Sequence, residues 1–134
     1  MVSVSAESLP LTTSEHIVIA RQAVRQRAVE IGFSLVDQTK VVTAASELAR
    51  NAIQHGGGGR VSIELVSDGV RRGLRLTFED QGPGIADIEL AMKDGFSSAG
   101  GLGLGLSGAK RLSNEFAIQS APGGGTRVVI TRWK

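Results

Sequence analysis

The feature that most constrains this chain is a segment, residues 41–53, that carries two different stripes at helical spacing. Its apolar stripe recurs every three or four residues and consists of Val41, Ala45, Leu48 and Ala52. Its polar stripe consists of Glu47 and Asn51, which are four residues apart and therefore lie one turn above each other on one face. The segment predicts a packed helix that presents a carboxylate and a carboxamide side by side, a pair suited to a hard cation and a water molecule.

Alternating apolar residues, caps and turn residues predict the other elements. Ser14 is expected to cap the first helix, Gly32 to end it, and Ser34 or Asp37 to cap the second. Pro10 restricts the first strand to a sheet edge. The expected strands span residues 2–12, 61–67, 74–78, 118–121 and 126–131, and the expected helices span 14–31, 86–93 and 106–116, with the second helix running to about residue 54.

This order of elements predicts one domain, residues 1–134, with a two-layer α/β sandwich architecture. Neighbouring strands joined by short turns indicate a mixed, mostly antiparallel sheet, which about three helices cover on one face. The predicted layers have enough chain to bury a core of their own.

Composition narrows the classes of function. The chain is 41% hydrophobic and 21% charged, with a net charge of +2 and no Cys, so neither disulfides nor thiolate metal sites are expected. Its basic residues are scattered and aromatic residues are few, which argues against nucleic acid as a partner. No apolar run reaches membrane length and no secretory leader is visible, so we expect a cytoplasmic protein without a membrane contact.

Two glycine-rich segments lie where a ligand could approach the backbone. Asp80 follows an alternating strand, and Gly82 and Gly84 behind it allow a close approach. Residues 100–105 open a helix, where backbone amides and the helix field favour a phosphate. The dinucleotide-binding pattern is excluded because no strand precedes the glycines and no acidic residue follows at the right distance. The P-loop pattern is excluded because Gly108 is not followed by Lys-Ser or Lys-Thr.

Taken in order, these motifs resemble the GHKL (Bergerat) ATP-binding family, which includes gyrase, Hsp90, histidine kinases and MutL. A Glu-x-x-x-Asn helix, an Asp-x-Gly-x-Gly turn, a Gly-x-Gly-x-Gly loop and a Gly-Thr pair before the last strand carry the resemblance, which extends from Ser14 to the C-terminus. It implies ATP and Mg²⁺ as cofactors, Glu47 as the catalytic base and Asn51 as the metal ligand. Asp80 would bind the adenine amino group, with Thr126 assisting through water. The implied ATP-binding residues are Asn51, Asp80, Gly82, Gly84, Ile85, Gly100, Gly101, Leu102, Gly103, Leu104, Gly105 and Thr126.

Within that family the chain is similar to the small serine/threonine switch kinases of the stressosome (RsbT type). This resemblance implies phosphorylation of a STAS-domain partner in bacterial partner switching and, after release, activation of a PP2C-type phosphatase. An anti-sigma factor with kinase activity is the first alternative. Such relatives carry a basic residue just before the glycine loop, where this chain has residues 97–99, Ser-Ser-Ala.

A non-catalytic, nucleotide-gated binding module is the second alternative. Two cations near the motifs, Arg50 and Lys93, have no assigned role, and the oligomeric state stays open. His16 and His55 are interpreted as ordinary surface residues.

Overall fold

The computed structural model describes residues 1–93 and 105–134, and these form a single five-stranded sheet with helices packed against it. The strands are Val2–Leu11 (β1), Gly59–Ser67 (β2), Arg72–Asp80 (β3), Glu115–Ser120 (β4) and Thr126–Trp133 (β5). The helices are Ser14–Glu30 (α1), Leu35–Gln54 (α2), Ile88–Ala91 (α3) and Gly105–Arg111 (α4). The order β1-β2-β3-β5-β4 places β1 and β4 at the edges, and every pairing is antiparallel rather than mixed. The predicted two-layer α/β architecture is confirmed.

The core lies between the sheet and the two long helices, α1 and α2. Alternate residues of β2 and β3 point toward the helices because side chains of a strand alternate between its two faces. The predicted apolar stripe of α2 is confirmed, since all four of its members are at most 4% exposed. The main strand contributions to this core are Val61, Ile63, Leu74, Leu76 and Phe78. The burial of this stripe turns the opposite side of α2 outward.

The start of α1 differs from the prediction by one residue. Thr13, not Ser14, is the N-cap, and its backbone is extended. His16 explains the shift, because its Nδ1 accepts hydrogen bonds from the amides of Thr12 at 3.0 Å and Thr13 at 3.3 Å. His16 therefore takes part in capping and is not an ordinary surface residue. Gly32 follows the helix with a φ of +88°, as expected of a glycine at that position.

The predicted fourth helix is too long at its C-terminal end. It ends at Arg111, and Phe116 lies in β4 instead of on the helix. The amide of Asn114 donates to the carbonyl of Thr131 at 2.9 Å, so the chain joins the sheet soon after the helix ends. The four-residue spacing of Leu112 and Phe116 suits a helix, but pairing with β5 gives Phe116 a place against the core. The predicted helix over 86–93 shortens to Ile88–Ala91.

Candidate active site

Helix α2 presents Glu47 on its outward face. The neighbouring Leu48 and Ala49 are buried, and they fix the rotation of the helix so that Glu47 lies beside the buried stripe, at the border of the core. The Glu47 side chain is only 18% exposed, and its Oε1 accepts a hydrogen bond from Arg50 Nη1 at 2.9 Å. Sequence reasoning left Arg50 without a role, and the structure pairs it with the proposed base.

Asn51 lies one turn beyond Glu47 and is half-buried. Its carboxamide makes no hydrogen bond with a residue of the described ranges, so its oxygen is available to a ligand there. No group of three or more His, Cys, Asp or Glu residues that could hold a metal occurs in residues 1–93 and 105–134. This donor set fits Mg²⁺, which is commonly held by one or two protein oxygens while phosphate oxygens and water complete its shell.

Asp80 is the last residue of β3 and begins the glycine turn. Its Oδ1 accepts a hydrogen bond from the amide of Gly82 at 2.9 Å, which holds the carboxylate in one orientation and leaves Oδ2 for another donor. Thr126 is the cross-strand partner of Asp80 on β5. The structure thus brings together the two residues to which the resemblance assigned the adenine.

Ser120 is a member of this group that sequence reasoning missed. Its Oγ accepts a hydrogen bond from the amide of Ile85 at 2.8 Å and lies 2.9 Å from the hydroxyl of Thr126. Ser120 also pairs directly with Thr126 across the β4–β5 ladder. The signal in the sequence was its position at the end of a strand, opposite Thr126 in a hairpin.

The glycine turn after Asp80 is fastened to the β4–β5 turn through the backbone. The amide of Gly123 donates to the carbonyl of Pro83 at 2.6 Å, and that of Gly125 donates to the carbonyl of Gly82 at 3.1 Å. Gly84 has a φ of +75°, and a Cβ there would lie 2.0 Å from the carbonyl oxygen of Ala121. Glycine is therefore required at position 84 by both conformation and space.

A cavity of about 460 Å³ opens at this end of the sheet and is bordered by Asp80, Ser120 and Thr126. Its lining also includes Glu79, Gln119 and Arg127, which lie on the sheet face turned away from α2, and it does not include Glu47 or Asn51. Helix α4, which follows the predicted phosphate loop in the sequence, packs against α2. Gly105 is the first residue of α4, but the other predicted loop residues, Gly100, Gly101, Leu102, Gly103 and Leu104, lie outside the described residues.

Known proteins that are similar to this chain include a family of ATPases and two groups of bacterial regulators. Residues 36–134 match the family described as histidine kinase-, DNA gyrase B- and HSP90-like ATPase. The chain is 50% identical over 123 residues to the serine/threonine-protein kinase RsbT of Bacillus subtilis, covering 92% of each. It is 30% identical over 128 residues to the anti-sigma F factor of Thermoanaerobacter sp., covering 92% of this chain and 89% of that one.

Solved structures share the fold. The RsbU and RsbW domains of Rv1364c from Mycobacterium tuberculosis align with a TM-score of 0.68 at 24% identity, covering 98% of this chain and 33% of that one. The mycobacterial sensor histidine kinase MprB aligns with a TM-score of 0.58 at 25% identity, covering 96% and 97%. The expected GHKL fold is confirmed, and the 50% identity to RsbT confirms the expectation of a serine/threonine protein kinase. Among residues 1–93 and 105–134, no helix combines the length and apolar character that crossing a membrane requires.

Proposed function

Because the chain belongs to the histidine kinase-, DNA gyrase B- and HSP90-like ATPase family, we propose that it transfers the γ-phosphate of ATP to a serine or threonine of a partner protein. The observation that carries this proposal is the availability of ligand groups at the Asp80–Thr126 strand ends and on the outward face of α2. Residues 1–134 are proposed to act as one ATP-binding domain.

Adenine is proposed to bind at the end of β3. Asp80 Oδ1 is occupied by the Gly82 amide, so Oδ2 accepts the hydrogen bond from the 6-amino group of adenine. Thr126 assists through water, and its hydroxyl is kept in place by Ser120. Gly82 and Gly84 bring the backbone close to the base. Ile85, half-buried behind the turn, supplies an apolar contact.

The phosphates are proposed to extend from the base toward α2. The glycine loop, Gly100 to Gly105 with Leu102 and Leu104, would border them with backbone amides. Asn51 would hold Mg²⁺ through its carboxamide oxygen, and the ion when bound would neutralise charge on the phosphate oxygens. Within residues 1–93 and 105–134 the carboxamide of Asn51 has no hydrogen-bond partner, which supports this assignment.

Glu47 is proposed to be the general base of the transfer. It accepts the proton of the partner's hydroxyl while that oxygen forms a bond to the γ-phosphorus. The bond from the γ-phosphorus to the bridging oxygen breaks, and ADP leaves with the electron pair. Arg50, bonded to Glu47 Oε1, orients the carboxylate on the helix face and leaves Oε2 for the hydroxyl.

The partner is proposed to be a STAS-domain protein, and a PP2C-type phosphatase is the proposed partner after release. The 50% identity to RsbT supports a partner-switching kinase of this type. A second candidate function, an anti-sigma factor with kinase activity, draws its support from relatives named anti-sigma F factor at 30% to 32% identity. The higher identity to RsbT favours the first candidate.

Phosphotransfer tests the proposal directly. The purified chain is incubated with γ-labelled ATP, Mg²⁺ and candidate STAS-domain proteins, and we expect label on a serine or threonine of one of them. Glu47→Gln should lower the transfer rate by about 100-fold or more without changing ATP affinity, because only the proton acceptor is lost. Glu15→Gln, an exposed change on α1, is the control and should leave transfer unchanged.

The result also separates the alternatives. Intact ATP binding without label on any partner would point to the non-catalytic binding module. Retention of a sigma factor, in place of a STAS-domain protein, in co-purification would favour the anti-sigma factor. Unchanged transfer by Glu47→Gln would exclude Glu47 as the base.

A further inference from the structure

We propose that Gly56 is a positioning residue for adenine recognition, because its missing side chain leaves the space that the Asp80 carboxyl group occupies. Gly56 lies two residues beyond the C-terminus of α2. The inference rests on the proposed function, since it assumes that Asp80 receives the adenine amino group. It assigns a role in base selection to a residue outside the motifs that identify the family.

The contact between Gly56 and Asp80 is close enough to exclude any side chain. A Cβ built on Gly56 would lie 2.2 Å from Asp80 Cγ and 2.5 Å from both Asp80 Cβ and Oδ2. Real Cβ atoms do not approach other heavy atoms so closely, so the carboxyl group would have to move. The φ angle of Gly56 is not in the left-handed region, so a substitution there acts through space alone and not through backbone strain.

Gly82 also packs against Gly56 without room for a side chain. A Cβ on Gly82 would lie 2.5 Å from Gly56 Cα and 2.7 Å from its carbonyl oxygen. Asp80 is therefore held between the Gly82 amide, which bonds Oδ1, and the Gly56 backbone, which lies beside Oδ2. The free oxygen of Asp80 has little room to change its direction.

Gly56 also contacts the proposed metal ligand, Asn51, through the backbone. Its amide donates to the carbonyl of Asn51 at 3.3 Å, and the amide of His55 donates to the same oxygen at 2.9 Å. The end of α2 thus fixes Asn51 through hydrogen bonds and Asp80 through contact. In this arrangement one helix terminus sets the spacing between the adenine and phosphate ends of the nucleotide site.

Base selection supplies the test, because a purely structural role would not change it. ATP and inosine triphosphate differ at position 6, where a donor amino group is replaced by an acceptor oxygen. A hydrogen bond to a charged acceptor corresponds to roughly 10- to 100-fold in affinity, so the wild-type chain should prefer ATP by that factor. Gly56→Ala displaces the carboxyl group, and the preference should fall to about threefold or less, mostly through weaker ATP binding.

The matched control is Gly57→Asn. Gly57 is the adjacent residue, its φ is +71°, and a Cβ there has nothing within 4 Å. Asn tolerates that conformation better than most residues, so this variant should keep the wild-type preference for ATP. Thermal unfolding of all variants reports whether each one is folded.

A double variant, Gly56→Ala with Asp80→Gly, keeps the test decisive if Gly56→Ala does not fold. Removal of the Asp80 side chain removes the obstacle, so the double variant should fold and should show the same base preference as Asp80→Gly alone. A double variant that remains unfolded would overturn the inference, because the obstacle would not be the Asp80 side chain.

Different results would contradict the role of Asp80 and the role of Gly56. A wild-type chain that binds ATP and inosine triphosphate equally would contradict the proposed role of Asp80. A wild-type chain that prefers ATP, with Gly56→Ala folded and keeping that preference, would contradict only the role of Gly56.

Discussion

The two ends of helix α2 are held in opposite ways. At its N-terminal end, Ser34 Oγ accepts a hydrogen bond from the amide of Asp37, and the Asp37 carboxylate pairs with Arg132 at 2.7 Å. At its C-terminal end, Gly56 meets the Asp80 turn through the absence of side chains. Truncating a side chain at the N-terminal end removes a hydrogen bond, whereas adding a side chain at the C-terminal end creates a steric clash. We infer that the N-terminal end serves stability and that the C-terminal end serves the proposed nucleotide site.

Arg132 makes the N-terminal end a junction of three elements. It extends from β5 to Asp37 on α2, and its Nη1 donates to the carbonyl of Leu112 just beyond α4 at 3.0 Å. The Arg132 side chain is 13% exposed, and its Nε is buried without a hydrogen-bond partner among residues 1–93 and 105–134. This junction therefore stabilises α2 and α4, and within residues 1–93 and 105–134 the hydrogen bonds of Arg132 involve none of the proposed site residues.

The largest effect is expected at the glycine end, from Gly82→Ala. The added methyl group would meet main-chain atoms of Gly56 at 2.5 to 2.9 Å, and no flexible side chain can yield. We expect the free energy of unfolding to fall by about 3 kcal/mol, as for other overpacked sites. ATP affinity should fall by at least about 100-fold, because the amide that holds Asp80 moves with the turn.

Urea unfolding and ATP titration measure the two effects of Gly82→Ala separately. Gly57→Asn is again the control, since position 57 has open space around it. Wild-type ATP affinity in a folded Gly82→Ala variant would show that the contact with the end of α2 is not needed for the ligand.

Much of this arrangement was accessible from the sequence, because it follows from periodicity. The apolar stripe of α2 placed Glu47 and Asn51 outward, and strand alternation placed Asp80 at a strand end. The contact of Gly56 with Asp80 was not accessible. It depends on how the end of α2 meets β3, and a glycine after a helix predicts only a chain reversal.

The contacts of Arg132 at the N-terminal end of α2 could not be predicted from the sequence either, for a different reason. Arg132 pairs with Asp37 across 95 residues of sequence, and no local pattern links them. Ser34 was one of two candidates for the cap of α2, and the structure selects it. His16 was misjudged because a histidine three residues after an N-cap is not a standard cap signal, although its ring nitrogen can accept the free amides there.

Arg132→Ala is expected to have the second-largest effect on stability. It leaves the Asp37 carboxylate without its partner and the Leu112 carbonyl without its donor, so the free energy of unfolding should fall by about 2 kcal/mol. ATP affinity of the folded variant should change by less than about threefold, because the junction is separate from the proposed site. Arg21→Ala, the same change at an exposed arginine of α1, is the control for both measurements. If ATP affinity of the folded Arg132→Ala variant fell by much more than about threefold, the N-terminal end of α2 would also contribute to the ligand site.

Low pH should weaken the stabilising contribution of Asp37 at the N-terminal end of α2. The hydrogen bond from Arg132 lowers the pKa of Asp37 below its ordinary value of 3.8. A carboxylate with a lowered pKa in the folded state stabilises the protein fully above its unfolded pKa, and this contribution is lost as the pH falls through the folded pKa. We expect Asp37→Asn to cost about 1 kcal/mol at pH 7, given the part exposure of the pair, and to cost progressively less below pH 3.8.

Urea unfolding of wild type and Asp37→Asn across this pH range isolates the contribution of Asp37. The pKa of Glu64 is lowered mainly by its hydrogen bond from Arg75, and backbone hydrogen bonds lower the pKa of Asp68 to about 2. Both acids are present in wild type and variant, so their contributions cancel in the difference. A difference in stability that stays constant below pH 3.8 would show that Asp37 does not act through its charge.

The smallest expected effect comes from Ser34→Ala, which removes only the cap of α2. Its hydroxyl accepts a hydrogen bond from the Asp37 amide at 3.1 Å, and loss of a cap at this exposed helix end should cost about 0.5 kcal/mol. Ser34→Asp should restore the stability, because aspartate caps helices as well as serine does. ATP affinity should be the same in all three proteins, since the cap is about 20 residues from Gly56 along the chain. If Ser34→Ala weakened ATP binding, the two ends of α2 would not be independent, and the helix would transmit changes along its length.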